Sequence, residues 1–383
     1  MKPKVLISID WYQPGYKAGG PIQSIANLVA HLKKDVDFWI ITRNTDYNSV
    51  QAYAEVPANE WHQLEEGVNV YYFSARHLTY ASLKQVISDV PVDFVYINGI
   101  FSKFFSLMPL LIAKKNKNVP VVVASRGMFA PGAVQVKPGK KKAFFGLAKM
   151  TGLYKKVTFH ATNEVEQEHI RAVLGHSIRV VIAPNLPKVI DTTPILSPDQ
   201  KRKGELKLVS IARISPEKNT LYAVEVLKNH RFTGKVKFDI YGPINDVAYW
   251  EECEKLIKQL PSNINVQYKD SLPSHLVPET LTRYQALFLP TRGENFGHII
   301  LESLSSSLPV IISDQTPWNN LRGLQAGFDL SLAEPKQFAV AIQELLDMEQ
   351  DEYRLLTQHA AKFAASFRQN EALIAASKAL FAC

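Results

Sequence analysis

Two carboxylates and two cations stand out by type and spacing. Glu294 and Glu302 lie eight positions apart in Glu294-Asn295-Phe296-Gly297-His298-Ile299-Ile300-Leu301-Glu302, after an apolar run and a Pro-Thr-Arg-Gly turn. Eight positions are about two helical turns, so both carboxylates fall near one helix face. With a helix starting near Gly297, Glu294 belongs to the loop before it and Glu302 to its second turn. The amides of Asn295, Phe296, Gly297 and His298 are then helix-start donors. Such a surface can hold many hydroxyl groups at once, which is what a sugar offers. Earlier in the chain, Arg213 and Lys218 lie in Ala-Arg-Ile-Ser-Pro-Glu-Lys-Asn, past the end of another apolar run. Two cations there form an electropositive corner the size of a diphosphate.

The elements that must position these residues read as strands alternating with helices. In the first half, Lys4–Ile9, Phe38–Thr42, Val68–Phe73, Phe94–Ile97 and Val119–Ala124 are short runs rich in apolar and β-branched residues. Ile22, Ile25, Ala26, Val29 and Leu32 recur at helical spacing, and Ser82–Val90 and Phe104–Lys115 also read as helices. The pattern restarts with strands at Leu206–Ile211, Val236–Tyr241, Ile264–Tyr268, Ala286–Pro290 and Pro309–Ser313. Helices fall between them at Thr220–Lys228, Ala248–Leu260, Gly297–Ser306 and Lys336–Asp347. Continuous apolar strands joined by helices predict an α/β fold of two Rossmann-like parallel-sheet domains. The expected division is 1–187 for the first domain, 188–205 for a linker rich in Pro, Thr and Ser, and 206–360 for the second domain. Residues 361–383 are expected to form a helix crossing back to the first. Ligands of such sheets sit beyond the carboxyl ends of the strands, which places a cleft between the two domains.

Composition excludes several classes. The 383 residues carry a formal charge of +8, with 46% hydrophobic and 21% charged residues, which argues against general disorder. Two cysteines, Cys253 and Cys383, make neither a disulfide framework nor a four-ligand zinc site. No secretory leader or spanning segment is expected, so the reading is a cytoplasmic protein, soluble or peripheral on the inner face of the cytoplasmic membrane. No Walker loop and no H-E-x-x-H occurs, and the loop with Gly15, Gly19 and Gly20 lacks dinucleotide-binding spacing. Asp35-Val36-Asp37 matches a metal-binding D-x-D but reads better as a solvated turn. His160 and His169, with Glu164, Glu166 and Glu168 between them, read as a polar helix face.

Ala212–Asn219 and Pro290–Gly297 with Glu302 closely resemble the signature of family 4 retaining glycosyltransferases of the GT-B fold. Gly19-Gly20-Pro21 resembles that family's amino-terminal diphosphate loop. Ser125-Arg126-Gly127-Met128 and Thr316-Pro317-Trp318 resemble segments of its polysaccharide-building members. The resemblance implies a retaining enzyme that moves a sugar from a nucleotide-diphosphate donor, UDP- or GDP-linked, to a glycan hydroxyl. It implies cell-surface polysaccharide biosynthesis with a lipid-linked acceptor, front-face substitution, and neither cofactor nor metal. It assigns Arg213 and Lys218 to the donor diphosphate, Glu302 to the ribose and Glu294 to the donor sugar, with Asn295 and the amides of Phe296, Gly297 and His298 nearby. Gly19 and Gly20 would bring backbone close to the pyrophosphate, and Asp270–Pro273 would border the base.

The chain departs from the family where a histidine usually follows the fourth or fifth strand. Asn98-Gly99 and Ser125-Arg126 stand there instead, so either Asn98 or Arg126 replaces it or donor contacts on that side differ. A sugar-nucleotide epimerase or phosphorylase on the same fold, or a silent nucleotide-binding scaffold, are the rival readings. Between Lys137 and Lys156 there are seven lysines and no carboxylate, interleaved with Phe144, Phe145, Leu147, Met150 and Leu153. This stretch suits an anionic membrane surface or a solvated helix with its apolar side in the core. Nucleic acid is not expected, because no nucleic-acid motif accompanies the charge.

Overall fold

Runs such as Val5-Leu6-Ile7 and Val121-Val122-Val123 are apolar at every position, which a strand can accommodate only with both faces covered. In the computed structural model all six of these residues are buried. The structure describes residues 2–115, 119–131, 134, 138–189 and 201–381. Most of the linker expected over 188–205, together with Lys137 and Cys383, lies outside the described residues. The chain divides into two units, Met1–Val189 with Asn370–Cys383, and Ile190–Gln369.

The first unit holds one eight-stranded sheet. Its strands are β1 (Lys4–Ser8), β2 (Asp37–Arg43), β3 (Trp61–Glu65), β4 (Val68–Phe73), β5 (Phe94–Asn98), β6 (Val121–Ala124), β7 (Val157–Ala161) and β8 (Arg179–Ile182). They run in the order β3-β4-β2-β1-β5-β6-β7-β8. All pairs are parallel except β3 with β4, which is antiparallel. Because β1 lies between β2 and β5, the strand order reverses beside it, and a crevice opens beyond the carboxyl ends at such a point.

The second unit repeats the plan with six parallel strands: β9 (Glu205–Ile211), β10 (Lys235–Tyr241), β11 (Ile264–Tyr268), β12 (Ala286–Leu289), β13 (Val310–Ser313) and β14 (Gly327–Leu330). Their order, β11-β10-β9-β12-β13-β14, is that of a Rossmann sheet, with the reversal between β9 and β12. Several helices start where the sequence supplies a side-chain cap. Thr79, Asn163 and Asp246 accept from the amides of Ser82, Glu166 and Tyr249, three residues on.

The structure differs from the sequence reading in several places. The helix expected over Phe104–Lys115 opens with a π-helical turn, Lys103–Leu107, before Met108–Lys115. The long terminal helix is broken at Gln369-Asn370 into Gln350–Arg368 and Glu371–Ala379, and the Asn370 side chain caps the second piece. That last helix belongs to the first unit, where the Phe381 ring lies 5.9 Å from Tyr96 and 6.4 Å from Phe38. No helix among the described residues is long and apolar enough to cross a membrane.

Candidate functional site

In the second unit, β9 and β12 pair through Leu208↔Ala286 and Val209↔Leu287, so the loops that follow them start side by side. The Arg292 amide and the Thr291 hydroxyl donate to the Glu217 carbonyl at 2.8 and 3.0 Å. Asn219 Nδ2 donates to the Pro290 carbonyl at 3.0 Å. These bonds bring Lys218 and Glu294, 76 positions apart in sequence, into an ion pair. Both side chains are largely covered, with 15% and 12% of their surface exposed, so solvent screens the pair less than one on the open surface. Arg213 is half-buried in the loop after β9.

The loop after β12 is held from outside. The Glu294 amide donates to the Gln315 carbonyl at 3.0 Å, and Trp318 Nε1 donates to the Phe296 carbonyl. The Phe296 ring is buried 5.3 Å from that of Trp318, so this residue offers a ligand its backbone and not its side chain. Gly297 has φ +77, and a Cβ there would come 2.8 Å from Ile300 Cδ1. That conformation turns the chain into the helix His298–Ser305, which places Glu294 before the helix and Glu302 in its second turn. Asn295, His298 and Glu302 are half-buried. The sequence marked Thr316–Trp318 only as a resembling segment. Its work here is to fix the backbone of residues 294–297.

In the first unit, Gly19 precedes the helix Gly20–Leu32 with φ +70, and a Cβ at either Gly19 or Gly20 would meet nothing within 4 Å. Asn98 ends β5, and Arg126 follows β6 with φ +51. The two belong to one hydrogen-bonded cluster. Arg126 Nε donates to Asn98 Oδ1 at 2.8 Å, Nη1 to Asn185 Oδ1 at 2.6 Å and Nη2 to the Tyr96 hydroxyl at 2.9 Å.

His160 and Glu166 correct the sequence reading, because they do not share a polar helix face. His160 is buried on β7, its Nδ1 2.7 Å from the Tyr96 hydroxyl and its Nε2 2.7 Å from the Ala183 carbonyl. A carbonyl can only accept, so Nε2 carries the proton and Nδ1 accepts from Tyr96. Burial, and then the charge of Arg126, push the His160 pKa down to about 4, against the opposing pull of the Ala183 carbonyl. Glu166 is also buried and accepts from Ser125 Oγ, the Gly127 amide, and the Thr162 amide and hydroxyl. Burial disfavours its charge, but these hydrogen bonds outweigh it and hold its carboxyl below the ordinary range. The sequence grouped the two only as part of a polar helix face, since the cluster is assembled from four separate strand ends.

Elsewhere, Asp270 is left-handed at φ +62 and accepts from the Ser271 amide at 2.7 Å in the loop after β11. Asp35 pairs with Lys378 in the turn before β2, and among the described residues no group of three or more His, Cys, Asp or Glu could hold a metal ion. The lysine-rich stretch forms the helix Pro138–Met150, with Phe145 and Ala148 buried and Leu147 and Met150 exposed by 56% and 80%. Lys140, Lys142, Lys149, Lys155 and Lys156 are exposed, while Lys141 lies 5.2 Å above the Phe101 ring.

Residues 192–363 match the family model for glycosyl transferases group 1. The GtfA subunit of a UDP-N-acetylglucosamine–peptide N-acetylglucosaminyltransferase of Streptococcus pneumoniae is 23% identical over 167 residues, 43% of this chain and 31% of that protein. The chain thus aligns with about a third of that relative's length. HepE of Anabaena, solved with UDP and glucose, superposes with a TM-score of 0.69 at 13% identity, over 99% of this chain and 98% of that one. The UDP-forming α,α-trehalose-phosphate synthase of Burkholderia xenovorans, solved with glucose 6-phosphate, gives 0.71 at 10% identity and 99% of both chains. The fold is the GT-B fold.

Proposed function

We propose that this chain, whose residues 192–363 carry the sequence of glycosyl transferases group 1, is a retaining transferase that moves a sugar from a nucleotide diphosphate to a glycan hydroxyl in polysaccharide building. One observation carries the reading. At the adjoining carboxyl ends of β9 and β12, Lys218 is paired with Glu294 immediately before the helix start at Gly297. A donor diphosphate takes Lys218 and Arg213, and the sugar takes Glu294 and the amides of residues 296–298. Glu302 holds the ribose.

In front-face substitution the bond from the anomeric carbon to the diphosphate oxygen breaks while that carbon bonds the acceptor oxygen on the same side. The departing phosphate oxygen takes the acceptor's proton. Lys218 and Arg213 offset the charge that gathers on the leaving group, so the step calls for no metal. Incubation with a panel of sugar nucleotides and glycan acceptors tests this. Transfer with retained anomeric configuration, insensitive to chelator, is expected. Transfer abolished by chelator and restored by manganese refutes the metal-free reading. Product formed without acceptor favours an epimerase, and nucleotide binding without turnover favours a scaffold.

The helix Pro138–Met150 extends this reading to a lipid-linked acceptor at the inner face of the cytoplasmic membrane. Exposed Leu147 and Met150 stand among exposed lysines, and near an anionic surface each lysine contributes ~1 kcal/mol within a Debye length of ~8 Å. Sedimentation with vesicles is expected to rise with anionic lipid and fall in high salt. It should also drop when Lys140, Lys141 and Lys142 become glutamate. Indifference of the wild type to anionic vesicles at low salt removes the membrane from the proposal.

A further inference from the structure

Arg126 is a cation braced by neutral groups. Its guanidinium, charged at any physiological pH, donates to Asn98 Oδ1, Asn185 Oδ1 and the Tyr96 hydroxyl. All three acceptor residues are buried, so the head group is fixed in place. None of them supplies a negative charge. The Tyr96 hydroxyl donates a hydrogen bond to His160, which is neutral, and His160 ends the chain on the Ala183 carbonyl. The carboxylate of Glu166 is spent on Ser125, Gly127 and Thr162, the residues around the turn, and among the described residues no ion pair joins it to Arg126. The backbone of Arg126 is held left-handed, which costs a non-glycine residue free energy.

A charge taken partly out of water normally acquires a counterion within the protein. Here the fold fixes the cation with three hydrogen bonds to neutral groups and, among the described residues, gives it no directly paired carboxylate, since Glu166 at the same turn faces Ser125, Gly127 and Thr162. Of the five N–H groups, three are committed, and one remains on each terminal nitrogen. Two such donors on one planar group match two oxygens of an oxyanion. The position, just beyond the carboxyl ends of β5 and β6, is on the edge of the sheet where ligands of this fold bind.

We propose that Arg126 is an oxyanion subsite that takes a phosphoryl group of the acceptor. Assigning the phosphate to the acceptor rests on the transfer reading above, whereas the binding itself does not. The phosphoryl group can belong to a soluble sugar phosphate or to a lipid-linked phosphate, and the same two N–H groups serve either. Asn98 and Asn185 then act as positioning residues, and Tyr96 does so together with His160 behind it.

The decisive variant is Asn98→Asp. It keeps the shape and the hydrogen bond to Arg126 Nε but supplies the missing counterion from inside. Titration calorimetry of the full chain with glucose 6-phosphate, and separately with farnesyl phosphate in neutral detergent, gives the readout. At least one probe is expected to bind the wild type and Lys218→Ala alike. Affinity for that probe should fall at least tenfold in Asn98→Asp while the melting temperature holds or rises. Arg126→Gln, which removes the charge, is expected to show the same loss, and the probe that binds tells a soluble from a lipid-linked source.

Equal affinity in the wild type and Asn98→Asp, or no binding of either probe, overturns the proposal. Binding lost in Lys218→Ala but kept in Asn98→Asp also overturns it, while leaving the transfer reading intact. Phosphate binding that depends on Arg126 in a protein that transfers no sugar from any nucleotide leaves the subsite standing and removes the transfer reading.

Discussion

The two units place a cation at the carboxyl edge of each sheet, but they treat the charge in opposite ways. Lys218 in the second unit is matched by Glu294, from the neighbouring loop of the same corner. Arg126 in the first donates, among the described residues, to neutral oxygens. An anionic ligand at Lys218 would therefore have to compete with a carboxylate. A ligand reaching Arg126 displaces no ion. The first arrangement couples two roles in one pair, so each partner's state depends on the other. The second holds its charge in place with hydrogen bonds to neutral groups.

The sharpest way to separate the two corners is acid. The pKa of His160 stands near 4 in the folded chain, against about 6.5 when unfolded. As pH falls below 6.5 the unfolded chain takes up a proton that the folded chain refuses, so stability declines until pH 4. The full effect is about 3 kcal/mol. Glu166, with its carboxyl held below the ordinary range, adds a loss in the same direction at lower pH, as the unfolded carboxylate protonates first. Melting temperature followed against pH is expected to drop through this window, and His160→Gln is expected to flatten the part between 6.5 and 4. An unchanged slope in that variant breaks the account of the Arg126 cluster.

The second corner breaks at its cation. Lys218→Ala leaves Glu294 without its ion pair and, on the proposed transfer reading, removes a charged hydrogen-bond partner of the donor phosphate, worth about 1.5–3 kcal/mol. A ten- to hundredfold loss in kcat/KM for the donor is expected from that figure. Steady-state kinetics over a donor series that leaves Lys218→Ala unimpaired removes the phosphate assignment.

The carboxylates sharpen the same corner with smaller effects. On the proposed transfer reading, which sets Glu294 beside the reacting sugar and Glu302 at the ribose, Glu294→Ala is expected to lower turnover about tenfold and Glu302→Ala to raise the donor KM several-fold with little change in kcat. The reverse ranking means the two roles are exchanged.

Local features of this site were legible in the sequence, and the long-range ones were not. The eight-residue interval between Glu294 and Glu302 and the apolar runs ahead of each loop are properties of short segments, and they placed the loop–helix boundary within a residue of Gly297. Strands such as β6, β12 and β13 are readable because each is buried at every position and almost wholly apolar. β3, with three of its five residues exposed, carries no such run and was passed over. His160 illustrates the limit in the other direction. A polar residue on a buried strand has the pattern of a surface residue until its partners, 64 positions away at Tyr96 and 23 at Ala183, are known. The grip of Trp318 on the Phe296 carbonyl, across 22 positions, is of the same kind.

The smallest expected effect concerns the paired glycines of the first unit, which look alike in sequence and differ in what they require. Gly19 has φ +70 and ψ −127, a backbone that side chains avoid, so Gly19→Ala is expected to cost about 1 kcal/mol of stability whatever binds nearby. Gly20 is the first residue of the following helix, shows no such dihedral, and has open space where a Cβ would stand. Nothing in the fold of its own unit demands glycine there. Alanine at that position reduces the freedom of the unfolded chain, so stability should hold or rise by a few tenths of a kcal/mol. If the backbone at Gly20 is approached by the donor pyrophosphate, the added methyl group should still weaken donor binding several-fold. Thermal melting and donor titration of Gly20→Ala together decide it. Unchanged melting with weaker binding marks a glycine kept for a ligand, whereas unchanged melting with unchanged binding takes Gly20 out of the donor site and leaves Gly19 with a purely conformational role.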